Sequence, residues 1–451
     1  MYFKRKIDLD LDLWLKQQNK APKLIVGIRQ CGKTESIRKF AVRNNLDLIE
    51  INFWTNPEYS SDFDGELDVD TLINNISLRF PNEIIEPSKS LIFFDEIQDC
   101  PRARLSFKNF EKDGRYNVIG SGSYLGINGY VIGDTTPAPT GYDDVYHMKT
   151  MDFEEFLWAL GYTDMQINSL VDYFIQKKAI PDNINNIYKN IFLKYACIGG
   201  FPKVVLEYIN TKSIVSAYKV LNNTIFDMKT DFGRRKDKKG NPVFKPSLVS
   251  RIQNVFDLIP TFLAKENKRF IVSKVSSGSQ YEKNDAIEYL KQAHIVSKVH
   301  NVSVPTLPLV GFKIESQFKL FPEDIGIVTS MYGIDTVAAI NRGDLGQGKG
   351  AIYEALIFDS LNKAGIDVYY FAKESGLEID FVISYNGYST LLEVKAKTGN
   401  TKSSKTVMNH PDHYGKTKLI KIGDYNVSEN NDIITIPHYL AFVLGKTKYN
   451  F

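Results

Sequence analysis

Gly27-Ile28-Arg29-Gln30-Cys31-Gly32-Lys33-Thr34 decides the first half of the fold. It fits the pattern G-x-x-x-x-G-K-[ST], and its setting fits too, because the apolar run Leu24-Ile25-Val26 leads in and a helical stretch from Thr34 and Glu35 to Asn45 leads out. Glycines let a backbone wrap a phosphate chain, and the loop N–H groups at a helix N-terminus donate to its oxygens. The spacing therefore predicts a nucleotide-phosphate loop over Gly27–Glu35. Lys33 is expected at the β and γ phosphates, and the Thr34 hydroxyl on Mg²⁺.

Downstream, Leu91-Ile92-Phe93-Phe94-Asp95-Glu96 has the form of a Walker B strand. Asp95 is the expected Mg²⁺ residue, and Glu96 is placed to orient and deprotonate an attacking water. A third run, Val118-Ile119-Gly120-Ser121-Gly122-Ser123, ends an apolar strand in hydroxyl residues, so Ser121 or Ser123 is either a γ-phosphate sensor or part of a tight turn. Together with Leu48–Phe53 these continuous apolar runs alternate with helical stretches, the pattern of a parallel sheet covered on both faces. A Gly-, Pro- and Thr-rich stretch, 129–144, reads as a loop before the amphipathic helix MDFEEFLWALG, and the first domain is drawn over 1–160.

From 161 to 340 the periodicity is mainly helical, broken at Gly199-Gly200-Phe201-Pro202. The basic run 233–242 reads as a solvated connection or a nucleic-acid contact. Residues 273–303 read as helix, turn, helix and strand pair, the order of a winged helix, a module used both as an interaction lid and as a DNA reader. From 341 to 451 a third unit is expected, with a helix near Gly350–Gly365, the strand VYYFA, and two strands joined by Asn386-Gly387.

The chain has 451 residues, 43% of them hydrophobic and 24% charged, which is globular rather than disordered. Its 56 basic and 53 acidic residues balance, so a DNA contact must rest on a local patch. Cys31, Cys100 and Cys197 lie far apart, which suggests neither a disulfide framework nor a zinc site and fits a reducing cytoplasm. No run has the length and continuity of a membrane span, and no signal-peptide core is visible at the start.

GIRQCGKT, LIFFDEIQDCP, VIGSGSYLG, MDFEEFL and GGFPKVV together resemble the prokaryotic AAA-type ATPases that carry a C-terminal domain of unknown function. That resemblance implies an α/β P-loop core of the additional-strand type, with the sensor strand between the Walker A and Walker B strands, then a helical and winged-helix region and a nuclease-like terminal domain. ATP or ADP with Mg²⁺ would be its ligands, and a homo-oligomer or a protein partner is consistent with it. Cys31 stands where valine is commoner, but the loop works through its backbone. Arg102, Arg104 and Arg115 follow Walker B and are considered as arginine fingers.

In the terminal segment Glu354 lies on the first helix, and Glu378-Ile379-Asp380 faces Glu393-Val394-Lys395 across a hairpin. This resembles the PD-(D/E)XK pattern of restriction-endonuclease-like domains. Such chemistry needs acids on adjacent strands to hold Mg²⁺, with Asp380 and Glu393 as principal ligands, Glu354 closing the site and Lys395 stabilising charge. Period-two geometry puts Glu393 with Lys395, and Glu378 with Asp380, on one strand face each. Lys397, Lys402, Lys405, Lys416, Lys418 and Lys421 are available to DNA phosphates. Two functions are compatible with this reading. One is an ATPase whose cycle repositions a DNA-binding or DNA-cleaving terminal domain; the other is an ATP-dependent switch whose nuclease-like domain binds protein without catalysis.

Overall fold

The computed structural model describes residues 1–123, 141–233, 244–265, 267–276, 278–344, 349–399 and 401–448. Most of the expected loop 129–144 and all but the first residue of the basic run 233–242 lie outside them. The chain forms two compact units, one built on Met1–Thr150 and the other on the chain from Met151 onward, except for the short segment Gln292–His294, which belongs to the first. This border lies earlier than the expected 160.

In the first unit, β1 (Lys23–Gly27), β2 (Asp47–Asn52), β3 (Ser90–Asp95), β4 (Asn117–Gly122) and β5 (Asp144–Met148) form a parallel sheet in the order β2-β3-β4-β1-β5. Every residue of β1, β3 and β4 is buried, which is why these strands read as continuous apolar runs rather than alternating ones. β4, the strand expected to carry the sensor, lies between β1 and β3, the order the resemblance implied. One face is filled by aromatic residues: Phe63 lies edge-on to Phe53 and Phe94 at ring separations of 5.7 and 5.4 Å. Each such pair stabilises by about 0.5–1.5 kcal/mol beyond burial. The arrangement brings the C-terminal ends of β1, β2, β3 and β4 to one edge, where ligands of open parallel sheets sit.

The second unit opens with a capping box in which Asp152 and Glu155 exchange backbone hydrogen bonds, starting the helix Phe153–Ala159. Helices Asp164–Ile175, Asp182–Ile198, Pro202–Thr211, Ile214–Thr230 and Pro246–Leu263 follow. An eight-stranded mixed sheet then forms from β6 (Val296–Val302), β7 (Lys313–Pro322), β8 (Val368–Ala372), β9 (Glu378–Tyr385), β10 (Tyr388–Val394), β11 (Thr417–Gly423), β12 (Ser428–Asn430) and β13 (Ile433–Pro437), in the order β12-β13-β11-β10-β9-β8-β6-β7. β8, β9 and β10 form an antiparallel meander turned at Asn386 and Gly387, both at positive φ, while β10, β11 and β13 run parallel.

Two expectations change here. Of the two helices read over 273–303, only Gln280–Gln292 is a full helix, and the first is a three-residue 3₁₀ turn, Val272–Lys274, because the serine-rich stretch after it has no apolar period to hold a helix. The strand pair β6–β7 is not a free wing: β6 runs parallel to β8 and extends the terminal sheet. Asn301 on β6 joins the two, donating to Ala372 O at 3.0 Å and accepting from Ala372 N at 2.9 Å, so its amide acts as a further backbone rung. The border expected near 340 therefore falls inside one unit.

A fully buried ionic group holds this unit together. Lys363 lies 2.9 Å from Asp324 and 2.8 Å from Asp359, and also donates to Tyr195 OH at 2.9 Å. Asp324 accepts from Gly200 N, and the Tyr195 hydroxyl lies 2.7 Å from Asp359 Oδ2 and 3.0 Å from Met151 O, with one proton to give between them. The Gly-Gly-Phe-Pro break is thus a packing point, where a Cβ on Gly200 would meet Met151 O at 2.0 Å.

Candidate active site

The loop expected from the motif is formed between β1 and the helix Lys33–Arg43. Gly32 has φ 103° and Gln30 φ 62°, so the chain turns through the left-handed region twice before the helix starts. Gly27 sits where β1 meets β5 so closely that a Cβ would lie 2.2 Å from Met148 O. Lys33 is buried, and its ammonium donates to Gly27 O at 3.0 Å and Ile28 O at 3.2 Å. Ile28 and Cys31 are buried and pack the loop from beneath, Arg29 is half-buried, and Gln30 and Glu35 are exposed. Glu35 lies 3.9 Å from Lys39, one turn along the same helix.

The other expected residues meet at Asp95, the last residue of β3. Its Oδ2 accepts from Thr34 Oγ1 at 3.1 Å, and its Oδ1 accepts from Ser121 Oγ and from Glu96 N. Burial raises the Asp95 pKa above the ordinary carboxylate value, with Ser121 and Thr34 opposing that shift and the Glu96 charge adding to it. Glu96 is a non-glycine residue at φ 53°, a strained conformation of the kind functional sites retain, and its Oε2 accepts from Gln98 Nε2 at 2.5 Å. Ser121 reaches Asp95 by its hydroxyl. Ser123 enters the network differently, its backbone N donating to Gln98 Oε1 at 3.2 Å.

Three residues join that were not expected at the site. Asn52, at the end of β2, donates to Asp95 Oδ2 at 3.1 Å and accepts from Trp54 N and Thr55 N. Gln98 bridges Glu96 and Ser123. Arg5 is buried and donates to Cys31 O at 2.8 Å and Lys149 O at 2.7 Å, fixing the loop backbone from below. A polar residue ending β2 was a legible signal for Asn52; Arg5 carries none in the sequence.

In the second unit, Glu354, Asp380, Glu393 and Lys395 are also brought together, but not in the manner expected. Glu354 is buried on the helix Lys349–Lys363, its Oε1 accepts from Lys268 Nζ at 2.5 Å, and its Oε2 has no hydrogen-bond partner among the described residues, with Lys319 Nζ 3.9 Å away. Lys319, on β7 and also buried, donates to Glu378 at 3.1 Å. Glu393 accepts from Ser404 and from Lys395, the latter at 2.7 Å, while Asp380 Oδ2 accepts from Val394 N at 2.8 Å and lies 3.9 Å from Lys395. Lys395 falls just past the end of β10, and Glu378 turns to Lys319 rather than sharing Lys395 with Asp380.

Burial, and next the Asp380 charge, raise the pKa values of Glu354 and Glu393. Burial alone would lower the Lys319 ammonium, but Glu354, Glu378 and Asp380 hold it above its ordinary value. Among the described residues no three His, Cys, Asp or Glu side chains are grouped to hold one metal ion.

Residues 19–157 match the model of a family described as an AAA domain. The first unit therefore carries an AAA domain. Residues 189–338 and 349–439 match two domains of unknown function, DUF8612 and DUF4143. Among solved structures, the chain is similar to the Walker-type ATPase of Pyrococcus abyssi, at 14% identity and TM-score 0.41 over 73% of this chain and 96% of that one. It is also similar to the ORC2 protein of Aeropyrum pernix in ADPNP–ADP complexes, at 11% identity and TM-score 0.26 over 76% and 95%. No curated protein sequence matches.

Within the AAA-type domain, the three arginines considered as fingers all have partners in their own chain. Arg102 donates to Phe63 O and Gly65 O, Arg104 pairs with Asp143 at 2.9 Å, and Arg115 pairs with Asp70 and Asp113. No helix of the described residues is long and apolar enough to cross a membrane.

Proposed function

We propose that the AAA-type unit binds ATP with Mg²⁺ and hydrolyses it, and that its nucleotide state controls the second unit. The observation carrying this reading is the convergence of Thr34, Asn52 and Ser121 on the Asp95 carboxylate, beside a lysine whose ammonium donates to the loop carbonyls of Gly27 and Ile28. Lys33 would exchange those carbonyls for phosphate oxygens, and the N–H groups of Arg29–Thr34 would surround the phosphate chain. Thr34 and Asp95 supply hard oxygen donors 3.1 Å apart and fit Mg²⁺, which when bound neutralises charge on the phosphates. Glu96, steered by Gln98, would take the proton of the attacking water, and Ser121 and Ser123 would report the γ-phosphate. The three free, buried cysteines suit a cytoplasmic setting. The test is Mg²⁺-dependent ATP turnover by the full chain. Binding without turnover would leave a nucleotide-controlled switch, and no binding would overturn the reading.

A second reading concerns the second unit and is favoured by Glu354 Oε2, a buried carboxylate oxygen without a hydrogen-bond donor. Lys319 Nζ lies 3.9 Å from it, beyond hydrogen-bond distance, so the oxygen keeps its lone pairs for a further cation. We infer a metal-dependent phosphodiesterase site acting on DNA, with Asp380 and Glu393 as the Mg²⁺ ligands, Glu354 facing them and Lys395 stabilising negative charge. Two carboxylates suffice for Mg²⁺, which keeps several waters and would polarise the phosphodiester. Asp380→Ala should then abolish cleavage and leave ATP turnover intact. If the wild type cuts no single-stranded, duplex or branched DNA with Mg²⁺ or Mn²⁺, the unit is a non-catalytic interaction module.

A further inference from the structure

Beside the carboxylate cluster lies a cavity of about 760 Å³ that the motifs do not involve. Its lining includes Lys265, Asn267, Arg269, Ser273, Gln280 and Ser316: two cations, four neutral hydrogen-bonding side chains and, among the described residues, no acid. The size falls within the range of small-molecule and cofactor pockets. Neither cation has a carboxylate partner among the described residues. Lys265 Nζ lies 4.8 Å over the Phe262 ring, and Arg269 gives one of its five N–H donors to Ser316 O at 3.3 Å. The guanidinium is thereby oriented while most of its donor fork stays free for an oxyanion.

The same short segment builds the cluster. Lys268, between Asn267 and Arg269, donates to Glu354, and Phe270 N donates to Phe318 O, the residue before Lys319. Arg269 also lies within electrostatic reach of Tyr370, whose ring lies 4.7 Å from Lys319 Nζ. Lys268 therefore serves the carboxylates while its neighbours Asn267, Arg269 and Phe270 line the cavity.

We propose that this cavity is the seat of a single-stranded nucleic acid, its backbone phosphates held by Lys265 and Arg269 so that the strand runs toward Glu354. The proposal rests on the phosphodiesterase reading above and narrows that site's substrate to a single strand. Charge selects an anion, and the cavity admits one or two nucleotides rather than a duplex. Recognition of this kind tracks the backbone and tolerates sequence.

The test uses the full chain and a fluorescein-labelled 15-nucleotide DNA strand, followed by anisotropy in EDTA so that cleavage is silent. Lys265→Glu with Arg269→Glu should weaken binding tenfold or more, and the slope of log affinity against log salt should become shallower by about 1.4 for two lost phosphate contacts. The charge-conserving Lys265→Arg should bind as wild type, which separates lost charge from lost fold. Binding by the double variant within twofold of wild type would overturn the proposal, as would a wild type that does not bind. Equal displacement by poly-glutamate would overturn the nucleic-acid assignment. Asp380→Ala separates the two ideas: cleavage retained there breaks the catalytic reading and leaves the cavity standing, while cleavage retained with unchanged binding in the double variant breaks the cavity alone.

Discussion

Lys33 and Lys363 are both buried ammonium groups, yet their surroundings prepare them for opposite tasks. Lys33 rests on two main-chain carbonyls of its own loop, so its charge is solvated but not cancelled. Lys363 lies between Asp324 and Asp359, each within 3 Å, and Tyr195 adds a further contact. A charge held by neutral dipoles can pass to an incoming anion at little cost, because it leaves no carboxylate behind. A charge held by carboxylates inside the protein is committed. The cluster around Glu354 lies between these cases, with the carboxylates of Glu354, Glu378, Asp380 and Glu393 facing the ammonium groups of Lys268, Lys319 and Lys395. One carboxylate in excess is what leaves room for a cation there.

The largest effect that would break this comparison is expected at the committed lysine. Lys363→Met should destabilise the second unit by about 3–5 kcal/mol, because it strands two buried carboxylates. The measurement is the urea midpoint of the full chain, followed by far-ultraviolet circular dichroism. The deficit should shrink on acidification. Burial raises the Asp359 pKa from 3.8 to about 6 even with Lys363 present, so the stability linked to its protonation is complete below the ordinary value and lost as pH rises through 6. Without Lys363 the protonated form is favoured further. An unfolding free energy that changes by less than about 1 kcal/mol at pH 7 would show that the pair is not desolvated.

This contrast marks what the sequence could reveal. The turn between β1 and the helix Lys33–Arg43, the strand ending at Asp95 and the strand carrying Ser121 were legible because each is a local pattern set by neighbours in the chain. The order of β1, β3 and β4 came from the resemblance and holds. The winged helix failed as a separate motif because strand pairing is non-local: β6 and β8 are joined in register at Asn301 although 65 residues lie between Val302 and Val368. Lys319, Lys268 and Lys363 carried no signal, since a lone lysine reads as surface until its partners are known. Glu393 and Lys395 were readable as a pair, but the sharing of Glu354 between Lys268 and Lys319 was not.

At the nucleotide site the next effect in size tests chemistry rather than charge. Glu96→Gln keeps the side-chain shape and its hydrogen bond with Gln98 while removing the base, so turnover should fall by roughly a hundredfold or more, about 2.7 kcal/mol, with ATP affinity retained. Single-turnover hydrolysis and nucleotide binding, measured on the same preparation, check it. Turnover that survives would assign the base to another residue.

Lys33→Ala tests whether the lysine's charge is in fact available. A charge-assisted contact contributes about 1.5–3 kcal/mol, so ATP should bind roughly ten- to a hundredfold more weakly. Stability should change far less than in Lys363→Met, since only two loop carbonyls lose a donor. Equal destabilisation by the two variants would erase the distinction between a reserved and a committed charge.

The smallest effect concerns Asn52, which the motifs do not contain. Its amide donates to Asp95 Oδ2 beside Thr34 Oγ1, and its carbonyl is held by Trp54 N and Thr55 N, so its orientation is fixed before ligand arrives. Asn52→Ala removes one of two donors to that oxygen, a loss of about 0.5–1.5 kcal/mol. Asp95 should then hold Mg²⁺ in a less defined position, and the Mg²⁺ concentration for half-maximal turnover should rise by roughly three- to tenfold with the maximal rate little changed. Titrating Mg²⁺ at saturating ATP measures both quantities. If the maximal rate falls while the Mg²⁺ requirement stays fixed, Asn52 touches the reacting groups directly, and β2 contributes to the chemistry rather than to the placement of Asp95.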